Sequence, residues 1–79
     1  MYSFSVTLGS IADVKRFVDA ASHCPCEVDV LSGRYLVDAK SIMGLFSLDL
    51  AHPVNVEFHG AEEAYRSFLK KIEPSVVKD

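Results

Sequence analysis

"KSIMGLFSLDL", residues 40–50, sets six large apolar side chains (Ile42, Met43, Leu45, Phe46, Leu48 and Leu50) in eleven positions. The run is too short to cross a bilayer, which takes about 20 apolar residues. Wound into a helix, these side chains spread over an arc of roughly 220°, and only Gly44 and Ser47 mark the other side. A helix that covers one face of a sheet needs a stripe of only about 100° or somewhat more. The surplus is either sunk in the core of a small domain or left exposed for another protein to cover. Flexible Met43 and aromatic Phe46 are suitable anchors for such a partner. Ser41 is a good N-cap for a helix starting here. The fold depends on this reading, because strands flank the segment on both sides.

Upstream, residues 2–8 alternate, with Tyr2, Phe4, Val6 and Leu8 on one side, which is the period of a half-buried strand. Gly9-Ser10 interrupts the alternation. Ile11, Val14, Phe17, Val18 and Ala21 then fall at helical spacing, with Ser10 as N-cap and Asp13 in a capping-box position. Alternation resumes with Cys24, Cys26, Val28 and Val30, and Ser32-Gly33 turns the chain into a returning strand over 34–38. Downstream, Pro53 opens a strand with Val54, Val56 and Phe58 facing inward, and Gly60 closes it. The last helix places Ala61, Tyr65, Phe68, Leu69 and Ile72 on one stripe, with Glu62 and Glu63 in its first turn and Lys70 and Lys71 in its last. Pro74 stops it, and the tail beyond is expected to fray. The order is β-α-β-β-α-β-α. Strands dry on one side only require all helices on a single face: an α+β open-faced sandwich, one domain over residues 1–79.

Composition narrows the function. The chain has 79 residues, 49% of them hydrophobic, and a formal net charge of −3 with its basic residues scattered. That predicts no nucleic-acid partner and no anionic membrane partner. The alternating N-terminus reads as no signal peptide, so a cytoplasmic protein is expected.

Ala39-Lys40-Ser41-Ile42-Met43-Gly44-Leu45 resembles the signature of HPr, the phosphocarrier of the bacterial sugar phosphotransferase system. Phe17-Val18, Ala20-Ala21-Ser22, Val37-Asp38-Ala39, Ser47-Leu48 and the "HGAEEA" of residues 59–64 extend the resemblance in register over nearly the whole chain. It implies the HPr fold, with three helices over a four-stranded antiparallel sheet. It also implies where the family chemistry should sit: a histidine at the start of the first helix that takes a phosphoryl group from enzyme I and passes it to sugar permeases. Carried back in register, that histidine falls on Ser10, the arginine that steadies the phosphoryl group on Ala12, and the following proline on Asp13.

None of the three family residues is present. A phosphocarrier needs an imidazole whose phosphoramidate is energetic enough to pass on, and a serine ester is a poor donor. The Asp13 charge would repel an incoming phosphoryl group, and loss of the arginine removes its bidentate partner. Ser41 matches the serine that a regulatory kinase phosphorylates in some bacterial relatives, though serine is also simply an excellent cap.

No enzyme is legible. His23, Cys24 and Cys26 are the weak metal or thiol candidates. On a strand the two thiols would stand about 6.6 Å apart and parallel, unsuited to a disulfide, and no second pair completes a zinc set. The carboxylates Glu27 and Asp29 lie on the wet face with no basic partner in sight. The expectation is an HPr-like protein without cofactor or metal, acting as a regulatory or protein-binding module through the first helix end and Ile42, Met43, Leu45 and Phe46. The alternatives are a phosphocarrier with another acceptor (Ser10 or a histidine) and a small metal or thiol module. A homodimer would hide the same apolar patch.

Overall fold

The computed structural model describes residues 1–78. Its elements run β1 (Tyr2–Val6), α1 (Ile11–Ser22), β2 (Val28–Ser32), β3 (Tyr35–Asp38), α2 (Ile42–Phe46), β4 (Val54–Phe58) and α3 (Glu62–Ile72). They form one four-stranded sheet in the order β1-β4-β2-β3, antiparallel throughout. The expected α+β open-faced sandwich is therefore the observed one.

Period-two patterning sets the layers. Val6, Val28, Val30, Val54, Val56 and Phe58 are buried under the helices, while Ser3, Asp29, Asn55 and Glu57 take the alternate positions. α1 contributes Val14, Phe17, Ala20 and Ala21 to the core, and α3 contributes Phe68 and Ile72. Phe17 and Phe58 meet Phe68 with ring centroids 5.6 and 5.5 Å apart. Aromatic pairs of this kind add about 0.5–1.5 kcal/mol each beyond the area they bury. The β2–β3 turn is Gly33-Arg34, and Gly33 supplies the positive φ (58°) at the first turn position that a II′ hairpin requires.

Four local expectations change. α2 is five residues long and ends at Phe46, so Leu48 and Leu50 come from the turn that follows. β2 begins at Val28, not at Cys24: the Cys24 N–H bonds to Ala21 O at 3.0 Å and finishes α1 instead of joining a ladder. Ile11, placed by periodicity on the buried stripe of α1, is 63% exposed because the first helical position projects past the core.

Residues 75–77 are also paired rather than frayed, while Asp79 lies outside the described residues. After a 3₁₀ turn at Glu73–Ser75, the Thr7 N–H bonds to Ser75 O (2.7 Å) and the Val77 N–H to Ser5 O (2.9 Å). Val76 thus bridges Val6 along the outer edge of β1, and Ser75 is buried beside it.

Candidate functional site

Ser10 holds extended backbone (φ −139°, ψ 161°), which aims its side chain back over the first turn of α1. Its Oγ accepts the Asp13 N–H at 3.1 Å, a side-chain N-cap. Asp13 completes the first turn, and its Oδ1 accepts from the Arg16 guanidinium at 3.2 Å. The helix end is thus already supplied with one hydroxyl and one carboxylate. Ala12 is exposed and brings no donor to it.

Ser41 repeats the device at α2. Its Oγ accepts the Gly44 N–H at 3.1 Å, and α2 carries no acidic residue in its first turn. Gly44 lets this short helix lie close to the sheet: a Cβ there would come within 3.3 Å of both Ser41 Oγ and Val37 Cβ.

The apolar run divides by depth. Met43 is 77% exposed and Phe46 45%, whereas Leu45 is fully buried and Leu48 nearly so. Leu45 therefore belongs to the core and not to a docking surface, contrary to expectation: in a five-residue helix, the position facing the sheet cannot also face a partner. Ile42 is half-buried against the core. Between α1 and the end of α2 lies a shallow hollow of about 290 Å³ lined by Gly9, Ser10, Ile11, Phe46, Leu50 and Ala51, among others. Exposed Ile11 and Phe46 thus meet at one rim. Periodicity missed Ile11 because it counts residues per turn and not how far the helix outruns its core.

The histidines stand apart from this rim, with one near approach. His23 caps the C-terminus of α1, its Nδ1 2.7 Å from Asp19 O. His52 directly follows Ala51, a residue of the hollow, and sits 4.0 Å from Asp49. His59 directly follows β4, with Nε2 3.2 Å from Asp29 Oδ2 and 3.7 Å from Glu57 Oε1. Asp29 therefore does have a basic partner, which sequence spacing concealed because the pairing crosses two strands.

Cys24 and Cys26 are free thiols in the bend between α1 and β2. Cys24 Sγ donates to Ala20 O at 3.4 Å. Burial pushes its pKa up, the neighbouring Cys26 adds to this, and Lys40 and Lys71 pull in the opposite direction. A thiol with a raised pKa is a poor nucleophile and a poor metal ligand near neutrality. Among the described residues, His23, Cys24 and Cys26 do not converge as a ligand trio; the trio that does is Asp29, Glu57 and His59.

The chain is thus an open-faced α+β sandwich with an apolar rim between the start of α1 and the end of α2. Residues 13–76 match the family described as the "PTS HPr component phosphorylation site", and this chain belongs to that family. The match begins just after Ser10 and Ala12. Among solved structures, the chain is similar to HPr-C-His from Thermoanaerobacter tengcongensis, with 27% identity, a TM-score of 0.75 and 92% of each chain covered. It is also similar to the phosphocarrier protein HPr of Bacillus anthracis, with 22% identity, a TM-score of 0.66 and 89% of this chain and 94% of that one covered. A histidine-containing phosphocarrier protein studied for the divergence of mycoplasma shares 14% identity at a TM-score of 0.74, over 99% of this chain and 100% of that one. No curated protein matches significantly. No helix among the described residues is long and apolar enough to cross a membrane.

Proposed function

We propose that this HPr-family chain docks on another protein, of the phosphotransferase system or its regulation, without relaying phosphate through the family's usual position. The observation that carries this reading is the start of α1: Ser10 Oγ accepts the Asp13 N–H as a cap, and the Asp13 carboxylate pairs with Arg16 beside it. An acceptor there would need a nucleophile with a transferable bond to phosphorus, and a serine ester does not provide one. An anion arriving at this helix end would meet a carboxylate already in place. Exposed Ile11 and Phe46 at the rim, with exposed Met43 on the same short helix as Phe46, provide the contact area, since large apolar side chains left in water favour a protein partner.

The test is incubation with phosphoenolpyruvate and enzyme I, followed by intact mass. The expected spectrum is unchanged. An acid-labile gain of one phosphoryl group would instead make the chain a carrier with another acceptor, and His52 beside the hollow is the first residue to map. In parallel, Met43→Glu/Phe46→Glu should retain the wild-type circular dichroism and lose binding to phosphotransferase-system proteins that hold the unmodified chain. Equal binding by the two forms would remove this surface from the proposal.

A further inference from the structure

The open face of the sheet carries a row of like charges that side-chain pairing alone leaves poorly compensated. Asp29 on β2 stands directly opposite Glu57 on β4 and, on its other side, directly opposite Asp38 on β3. Like charges directly opposite across strands destabilise a sheet, so three carboxylates in one row are a liability the fold has to offset. Asp38 Oδ1 is turned toward the Lys40 N–H at 2.8 Å. Asp29 and Glu57 pair with no lysine or arginine among the described residues; their common partner is His59.

The backbone holds these groups firmly. Asp29 and Glu57 are register partners in the β2–β4 ladder, the central pair of the sheet. The His59 N–H bonds to Glu27 O at 3.0 Å, which extends that ladder and fixes where the ring starts. One ligand atom from each of the three residues lies within 4.8 Å of the other two. His59 Nε2 is 3.2 Å from Asp29 Oδ2 and 3.7 Å from Glu57 Oε1. Tetrahedral zinc with bonds of about 2.0–2.2 Å to nitrogen and oxygen separates its ligands by about 3.4 Å. The observed distances bracket that edge.

We propose that Asp29, Glu57 and His59 form a surface site for a divalent transition-metal cation of the zinc class, on the sheet face opposite the helices. The donor set is one imidazole and two carboxylates, hard-to-borderline ligands that suit zinc rather than copper(I) or an iron–sulfur cluster. Three protein ligands leave a fourth position open to water or to a group from another molecule. The cation neutralises the Asp29–Glu57 repulsion that strand pairing imposes. Nothing in this site involves the α1 start or the apolar rim, and it stands or falls independently of the docking surface.

The experiment is calorimetric titration of the full chain with zinc chloride at slightly alkaline pH. The expected result is saturable uptake of one zinc per chain. His59→Gln and Asp29→Asn should each weaken it by at least about tenfold, since even residues one bond removed from a metal are worth roughly 10–100-fold in affinity. Cys24→Ser/Cys26→Ser should leave it unchanged. Amide spectra of the unmodified chain give a readout that needs no variant to fold: zinc should shift the signals of Asp29, Glu57 and His59. Failure to saturate at one equivalent, equal affinity in His59→Gln, loss in the cysteine double variant, or shifts confined to residues 23–26 would each overturn the proposal.

Discussion

The two helix starts carry the same cap but do different work. At α1, Ser10 accepts the Asp13 N–H; at α2, Ser41 accepts the Gly44 N–H, both at 3.1 Å. Behind Ser10 runs a twelve-residue helix with four buried side chains and a carboxylate in its first turn. Behind Ser41 are five residues with one buried side chain, Leu45, and no charge in the first turn. The first cap opens an element held by packing, with its positive end already countered. The second opens an element whose one fully buried side chain is Leu45, with Ile42 half-buried and Met43 and part of Phe46 left in water. Identical capping geometry therefore says nothing by itself about function. The charge next to the cap and the depth of the helix behind it decide.

The largest effects should come from beneath the two helices. Phe17→Ala under α1 should cost about 3–5 kcal/mol and Leu45→Ala under α2 about 2–5 kcal/mol, both read from urea unfolding. Met43→Ala, one turn face away, should stay within about 0.5 kcal/mol. Equal costs for Leu45 and Met43 would erase the division between core and surface in α2.

Cap removal tests the likeness itself. Ser10→Ala and Ser41→Ala should each cost about 1 kcal/mol, the usual worth of a serine N-cap. A negligible loss at Ser41 would mean that α2 is held by Leu45 alone. The smallest effect should separate the two starts electrostatically. Asp13→Asn should lower stability by about 0.3–1 kcal/mol at low ionic strength and by less in high salt. Thermal unfolding at two salt concentrations reads the difference, and a salt-independent loss would assign Asp13 a packing role instead.

Much of this molecule is legible in its sequence. β1 and β4 alternate cleanly because each has one face on the core, and α1 and α3 show their stripes because they are long enough to repeat them. The element order follows from these four. The parts that misread have a common physical origin, which is that periodicity reports a face and not how far that face is covered. Ile11 lies on the right side of α1 but beyond the sheet. Leu45 and Met43 lie about 200° apart on one short helix, both within its apolar arc, and the arc does not say which of the two meets the core. Cys24 and Cys26 continue the alternation of β2, yet their backbone belongs to the end of α1 and a bend around Pro25. His59 and Asp29 meet across the sheet, a contact thirty positions apart that no local pattern encodes.

The pairing of residues 75–77 with β1 has a kinetic meaning. β1 is synthesised first, yet its ladder partner on one side is β4 and on the other the segment after α3. A nascent chain therefore carries a half-apolar strand with no partner until β4 is made, and with one edge open until residues 75–77 follow. The hairpin of β2 and β3 can close early and locally, whereas β1 is zipped in late, from both flanks.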